Sequence, residues 1–285
     1  MKKLLSLILA FLFLSFLFYF VPFEELIENL KEVKTSNLIF AFFLYSLSQV
    51  FRSARWKLLI KEVSFFNLFL INSANIMFNN LLPARAGEVS WFYYLKSIGV
   101  SWSFSLWSFF LGRLYDLLSL FSLLFLTLAM VQNLMLLPLF LLILFSFSLP
   151  WLHHLLPQRG RLKEIKEFIK RETSLSLSLY LFLLSSLSNL AKFAGLLLLL
   201  NLKYIDLYRS FLAFLGGELS SVLPIHSFMG FGTYELAFSL PLKLLGESLR
   251  EWIKMGFIFH SFLLISSFLW GIPSTLFLAV RSKNR

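Results

Sequence analysis

Six long apolar runs set what this chain can become. Leu4–Val21, Leu38–Ala54, Leu106–Met130, Leu134–Leu152, Ser174–Leu200 and Met255–Val280 approach or exceed the ~20 residues a helix needs to cross ~30 Å of hydrocarbon. A soluble domain could not cover them. Asp, Glu, Lys and Arg make up 14% of the 285 residues, against about 25% in soluble domains. The 36 phenylalanines suit a surface solvated by lipid. The chain therefore reads as a single domain, 1–285, of an all-α polytopic membrane protein. Lys2 and Lys3 precede the first run and no small-x-small cleavage site follows it, so it reads as a retained span.

Two further segments, 65–98 and 208–246, are moderately apolar and interrupted near the middle by Pro and Gly. In the first, Asn79-Asn80-Leu81-Leu82-Pro83 leads to Gly87-Glu88; in the second, Leu223-Pro224 leads to Gly230-Phe231-Gly232 and Glu235. Proline cannot continue a helix and glycine loosens one. Each segment reads as a broken, re-entrant helical hairpin, one entered from each side of the membrane. The alternative is two kinked spans apiece. The fold expected is about six full spans plus two hairpins in an inverted repeat, an arrangement that marks transporter sites.

The net charge of +11 suggests nucleic acid until the charges are placed by side. With returning hairpins both termini are cytoplasmic. The cytoplasmic side then holds 16 Lys and Arg, including Arg52, Arg55 and six in the loop 153–172, and the outer side holds 7. That asymmetry obeys the positive-inside rule, so the charge orients the chain in a cytoplasmic membrane and calls for no nucleic acid. Residues 159–171 read as a basic amphipathic helix lying on anionic lipid.

Charged groups inside apolar segments are the exceptions that carry information. Arg85, Glu88, Arg113, Asp116, Lys192, Glu218 and Glu235 each cost about 2.5–3.5 kcal/mol at a span centre unless paired or hydrated. Arg113 and Asp116, three apart, share a helix face and form either an internal salt bridge or part of a site. Arg85 and Glu88 flank the first break, where charge at membrane depth favours function. Asn72, Asn75 and Asn79 share one face, which fits helix–helix hydrogen bonding; Ser185, Asn189 and Lys192 share another, and Lys192 is expected to face a cavity. Free backbone N–H groups around Gly230-x-Gly232 are expected to suit an anion. Arg52, Arg55 and Trp56 read first as interfacial anchors and second as phosphate contacts. His153 and His154 read as interfacial, and His226 as a candidate for proton handling. No metal motif, nucleophile elbow or Walker loop occurs and cysteine is absent, so neither a metal, a cofactor nor an enzymatic activity is expected.

Arg52-Ser53-Ala54-Arg55-Trp56, Asn79-Asn80-Leu81-Leu82-Pro83-Ala84-Arg85-Ala86-Gly87-Glu88, Arg113-x-x-Asp116 and Gly230-x-Gly232-x-x-Glu235 occur in that order. Together they resemble the transmembrane, flippase-like domain of the lysylphosphatidylglycerol synthase family, over nearly the whole chain. In multidomain members this domain is credited with flipping aminoacylated phosphatidylglycerol, while a soluble domain performs aminoacyl transfer. Only five residues follow Val280 and the longest cytoplasmic loop has about twenty, so lysyl transfer is not expected of this chain. The family's second break usually reads Pro-x-x-x-Gly-Gly-x-Gly followed by Arg-Glu; here Met229 replaces a Gly and Tyr234 the Arg.

The resemblance implies a lipid translocase with membrane lipids as partners. Arg85, Arg113 and Lys192 would hold a lipid phosphate, with Asn79, Asn80, Arg52 and Arg55 nearby. Glu88, Asp116 and Glu235 would face a cationic headgroup. With no ATPase motif, transport would be downhill, gradient-coupled or partner-driven. The alternatives are a non-transporting subunit that presents a lipid-linked substrate to a separate glycosyltransferase or aminoacyltransferase, and, last, an enzyme using Glu88 and Glu235 as acid and base.

Overall fold

Serine starts three of the helices. Ser64, Ser101 and Ser174 each accept a backbone N–H three residues on, satisfying one of the donors that a helix start leaves without a partner. In the computed structural model of the chain, the described residues are 33–130, 136–148, 150, 151, 154, 166, 170, 173–200, 207–222 and 227–283. They form α1 (Thr35–Leu59), α2 (Phe65–Leu81), a 3-10 turn (Pro83–Glu88), α3 (Val89–Ser97), α4 (Trp102–Ala129) and α5 (Leu136–Phe147). After these come α6 (Leu175–Leu199), α7 (Leu207–Val222), a 3-10 turn (Phe228–Gly230), α8 (Thr233–Leu244) and α9 (Leu249–Lys283). No strand occurs among the described residues. The first run, the Leu223-Pro224 pair, His153, His226 and nearly all of the basic segment lie outside them.

Three of these helices, within α4, α6 and α9, are long and apolar enough to cross a membrane. The fold is that of an all-α membrane protein. Both Pro- and Gly-marked segments are broken. The first has helical arms of 17 and 9 residues, the second of 16 and 12. At 1.5 Å per residue the second arms reach about 14 and 18 Å, short of ~30 Å of hydrocarbon. In each segment the chain doubles back: Asn75 of α2 donates to the Gly87 carbonyl and to Ser90, and a Cβ on Gly216 of α7 would meet the Ala237 carbonyl of α8 at 2.2 Å.

The element order is itself repeated. A 25-residue helix, a broken hairpin and a long helix run from α1 to α4, and again from α6 to α9. Packing exchanges partners between the two copies: α1 lies on α6, α2 on α9 and α7 on α4, and the two 3-10 turns touch. α1 and α6 run antiparallel, since Asn37 donates to the Leu198 carbonyl at 2.9 Å and Ser188 to that of Ser48 at 3.1 Å. Both non-glycine residues with left-handed backbone among the described residues, Arg85 (φ 56°) and Met229 (φ 54°), lie in the breaks. Apolar side chains clamp each copy: Trp56, Ile71, Trp91 and Leu95 in one, Phe193, Phe214, Phe238 and Phe259 in the other.

Candidate functional site

The two breaks meet beside a polar cavity of about 90 Å³. Arg52, Arg85, Arg113, Lys192, Asn79 and Asn80 line it, so six of the residues singled out from sequence come together there. Arg52 and Lys192 are each the eighteenth residue of a repeat-matched helix, α1 and α6, which brings one cation from each copy to the same cavity.

Arg55 and Asp116 are not on its wall. Arg55 is 1% exposed; its two terminal nitrogens donate to the two Asp116 oxygens at 2.5 and 3.1 Å, and one donates to Ser185 at 2.6 Å. The interfacial-anchor reading of Arg55 and Trp56 is therefore corrected. α1 continues past Ala54, and Trp56 is buried: its indole N–H donates to Asn72 at 3.0 Å and its ring lies 4.3 Å from that of Trp91. Gly112 of α4 makes room, because a Cβ there would strike the Trp56 ring at 2.2 Å.

Occupation of Asp116 by Arg55 displaces Arg113. The Arg113–Asp116 separation is 3.9 Å, whereas Arg113 donates to Glu88 at 3.0 Å. Arg85 approaches the same Glu88 at 2.7 Å and also donates to the carbonyl of Ser221, near the C-terminus of α7. There the helix dipole and an orphan carbonyl favour a cation, so the first break is tied to the second copy. Lys192 donates to Glu218.

Glu235 lies off the cavity. Its fully buried carboxylate accepts the Gly232 N–H at 2.7 Å and faces His260 at 2.7 Å. The Gly232 N–H expected to bind an anion is thus taken by the protein's own carboxylate. None of Glu88, Asp116 and Glu235 is left free for a cationic headgroup: each is engaged by internal partners.

The asparagines of α2 act in packing. Asn72 donates to Gln49 at 2.9 Å, Asn75 latches the hairpin, and Asn79 donates to Asn75 at 3.3 Å. Asn80 donates to Ser267 of α9 at 2.9 Å. Sequence reasoning missed Tyr45, Gln49, Ser221 and His260 on the cavity wall, and flagged Glu218 and Tyr234 without placing them in the site. His260 was within reach, as an ionisable residue in the middle of an apolar run. Tyr234 stood out only as the substitute for an Arg in the second break; it stacks on His260 at 4.6 Å.

The electrostatics favour an anion. Around the first break four guanidinium groups, Arg52, Arg55, Arg85 and Arg113, meet two carboxylates, Glu88 and Asp116. The buried Nε atoms of Arg52 and Arg113 have no hydrogen-bond partner. Nearby Lys192 and Glu218 cancel. Among the described residues no group of His, Asp and Glu has the disposition to hold a metal ion.

Helices broken in matched positions around a charged interior define an integral membrane protein built from two copies of one helical unit. The chain belongs to the family described as the lysylphosphatidylglycerol synthase TM region, which matches residues 3–271. It is also similar to a UPF0104 membrane protein of Methanocaldococcus jannaschii, 32% identical over 103 residues, or 34% of this chain. That match spans 31% of the relative's length. No solved structure matches the chain.

Proposed function

We propose that the protein binds the anionic headgroup of a membrane phospholipid in the cavity between its two breaks and moves it between leaflets. The carrying observation is the cation excess: four arginines share two carboxylates, and Arg52, Arg85 and Arg113 line the cavity. Guanidinium forks suit phosphate oxygens, and burial strengthens the attraction. The lipid's acyl chains stay in the bilayer while the headgroup enters the cavity. Family membership supports a membrane role, and the repeated architecture supports rocking of one copy against the other. In this reading the chain lies in a cytoplasmic membrane with both termini inside and performs no covalent chemistry.

The test is translocation of fluorescent phosphatidylglycerol in proteoliposomes, read by dithionite quenching. The wild type exceeds empty vesicles, and Arg52→Ala slows it about tenfold, the effect of one lost charge-assisted contact. Equal rates with and without protein would sink the translocase. Binding without movement would instead leave a subunit that presents lipid to a separate transferase.

A further inference from the structure

Each repeat builds one acid–base pair at a matched place. Glu88 immediately precedes α3, and Glu235 is the third residue of α8. Each pairs with a base 25 residues further on, Glu88 with Arg113 at 3.0 Å and Glu235 with His260 at 2.7 Å. Arg113 and His260 are each the twelfth residue of their helices, α4 and α9, and both line the cavity. One copy thus carries a permanent cation where the other carries an imidazole.

The geometry shows which imidazole nitrogen faces the carboxylate. Glu235 Oε2 accepts the Gly232 N–H, and Oε1 faces His260 Nδ1. With Glu235 ionised its oxygens only accept, and in that state Nδ1 carries the hydrogen and donates. The lone pair then sits on Nε2. His260 is 4% exposed and lines the cavity, with its ring held by Tyr234 at 4.6 Å and Phe231 at 5.2 Å. One nitrogen of this buried imidazole is anchored by a carboxylate, and the other is the only ring nitrogen left to receive a proton from the cavity side.

We infer that Glu235 and His260 form a proton-binding site of the cavity, and that entry of an anionic headgroup is accompanied by uptake of a proton on Nε2. The proton comes from water and adds to the Nε2 lone pair; no other bond forms or breaks. The imidazolium remains paired with Glu235 and places a positive charge on the wall, as Arg113 does in the other copy. Among the described residues, Glu235 on α8 holds the ring from behind, and the charged and titratable groups that share the cavity with it are Tyr234 on α8, Glu218 on α7, Lys192 on α6, Arg113 on α4, Tyr45 and Arg52 on α1, and Arg85 in the first break. Lys192 and Glu218 pair with each other, and the guanidiniums stay charged through neutral pH. Binding of anion and of proton are linked and reciprocal, so headgroup affinity rises as pH falls. The inference rests on the anionic-headgroup reading above.

Two measurements separate the two. Calorimetry of dioctanoyl-phosphatidylglycerol binding to the protein in phosphatidylcholine nanodiscs is expected to give about tenfold tighter binding at pH about 5.5 than at about 8, the effect of one unit charge a few ångströms from a phosphate at intermediate dielectric. Buffers of different ionisation enthalpy should reveal proton uptake. His260→Gln should bind weakly at both pH values, and His260→Arg tightly at both. Wild-type pH dependence retained in His260→Gln overturns the proton site. Absence of binding at any pH overturns the anionic-headgroup reading instead. Independently of lipid, nitrogen NMR of labelled histidine should show a resonance, absent in His260→Gln, that titrates between about pH 5 and 8. A His260 signal that does not titrate there overturns the proton site whatever the lipid does.

Discussion

Removing the Asp116 carboxylate should damage the fold far more than removing that of Glu88. Arg55 is 1% exposed and gives both terminal nitrogens to Asp116, at 2.5 and 3.1 Å. In Asp116→Asn the guanidinium keeps the Ser185 hydroxyl at 2.6 Å and one amide oxygen, but no counter-charge. Breaking a buried pair in this way costs about 3–5 kcal/mol. At roughly 2–4 °C per kcal/mol, the unfolding temperature should fall by about 10 °C. Glu88 differs: its side chain is 27% exposed and its partner Arg113 20%. Water in the cavity can replace it for Arg113, and Arg85 keeps the Ser221 carbonyl, so Glu88→Gln should cost less, about 1–2 kcal/mol. A double variant tests the pair, because Arg55→Met with Asp116→Leu removes both charges and should recover most of the stability that Asp116→Asn loses. Tryptophan fluorescence during heating in nanodiscs reads all four proteins. The reasoning is refuted if Asp116→Asn melts within about 3 °C of wild type, or if the double variant is as damaged as Asp116→Asn alone.

Two backbone predictions use the same assay. Met229 has φ 54°, a left-handed conformation that costs an L-residue about 1–2 kcal/mol, so Met229→Gly should raise the melting temperature by a few degrees while Met229→Val lowers it. A Cβ on Gly87 would lie 2.2 Å from the Phe78 carbonyl carbon, which is backbone and cannot turn aside; Gly87→Ala should therefore cost about 1–3 kcal/mol, more than Gly195→Ala, whose Cβ would meet the Ala41 carbonyl oxygen at an ordinary 3.5 Å.

The architecture was legible because lipid leaves few solutions. Run length, serine caps and the Leu82-Pro83 break are local signals, and each hairpin arm ends where Pro or Gly interrupts the pattern. α1 shows the limit. Its apolar run stops at Ala54, but the helix continues to Leu59 because Arg55 and Trp56 find partners on α4, α6 and α2. Exposure at a membrane surface and burial against polar neighbours both admit Arg and Trp, and sequence cannot separate them. The site residues were legible as exceptions, since a charge in an apolar run needs a reason. Their pairing was not. Arg113 and Asp116 lie 3.9 Å apart on one face, yet Arg55, 61 residues away in sequence, takes Asp116 and leaves Arg113 to Glu88. Spacing along a helix identifies who can meet; competition across helices decides who does.

That competition also explains why the cavity has a sign. Each carboxylate of the cluster, Glu88, Asp116, Glu218 and Glu235, has a base within 3.1 Å, so its charge is satisfied inside the protein. The arginines are not matched in the same way. Asp116 is 2.5 Å from Arg55 but 3.9 Å from both Arg52 and Arg113. At 3.9 Å a guanidinium keeps Coulomb attraction and loses the hydrogen bond; Arg113 keeps one to Glu88, but the buried Nε atoms of both arginines still lack acceptors. An isolated cation in lipid would be prohibitive; one held within 4 Å of a shared carboxylate is tolerable, yet still gains from a second anion. A phosphate entering the cavity would supply acceptor oxygens to Arg52 and Arg113 together, which no side chain in the cluster does. By the same reasoning a second carboxylate on the wall should abolish the preference. Asn79→Asp, which adds one without removing a cation, should weaken phosphatidylglycerol binding more than the isosteric Asn79→Leu, and equal loss in the two would show that the cavity recognises shape and not charge.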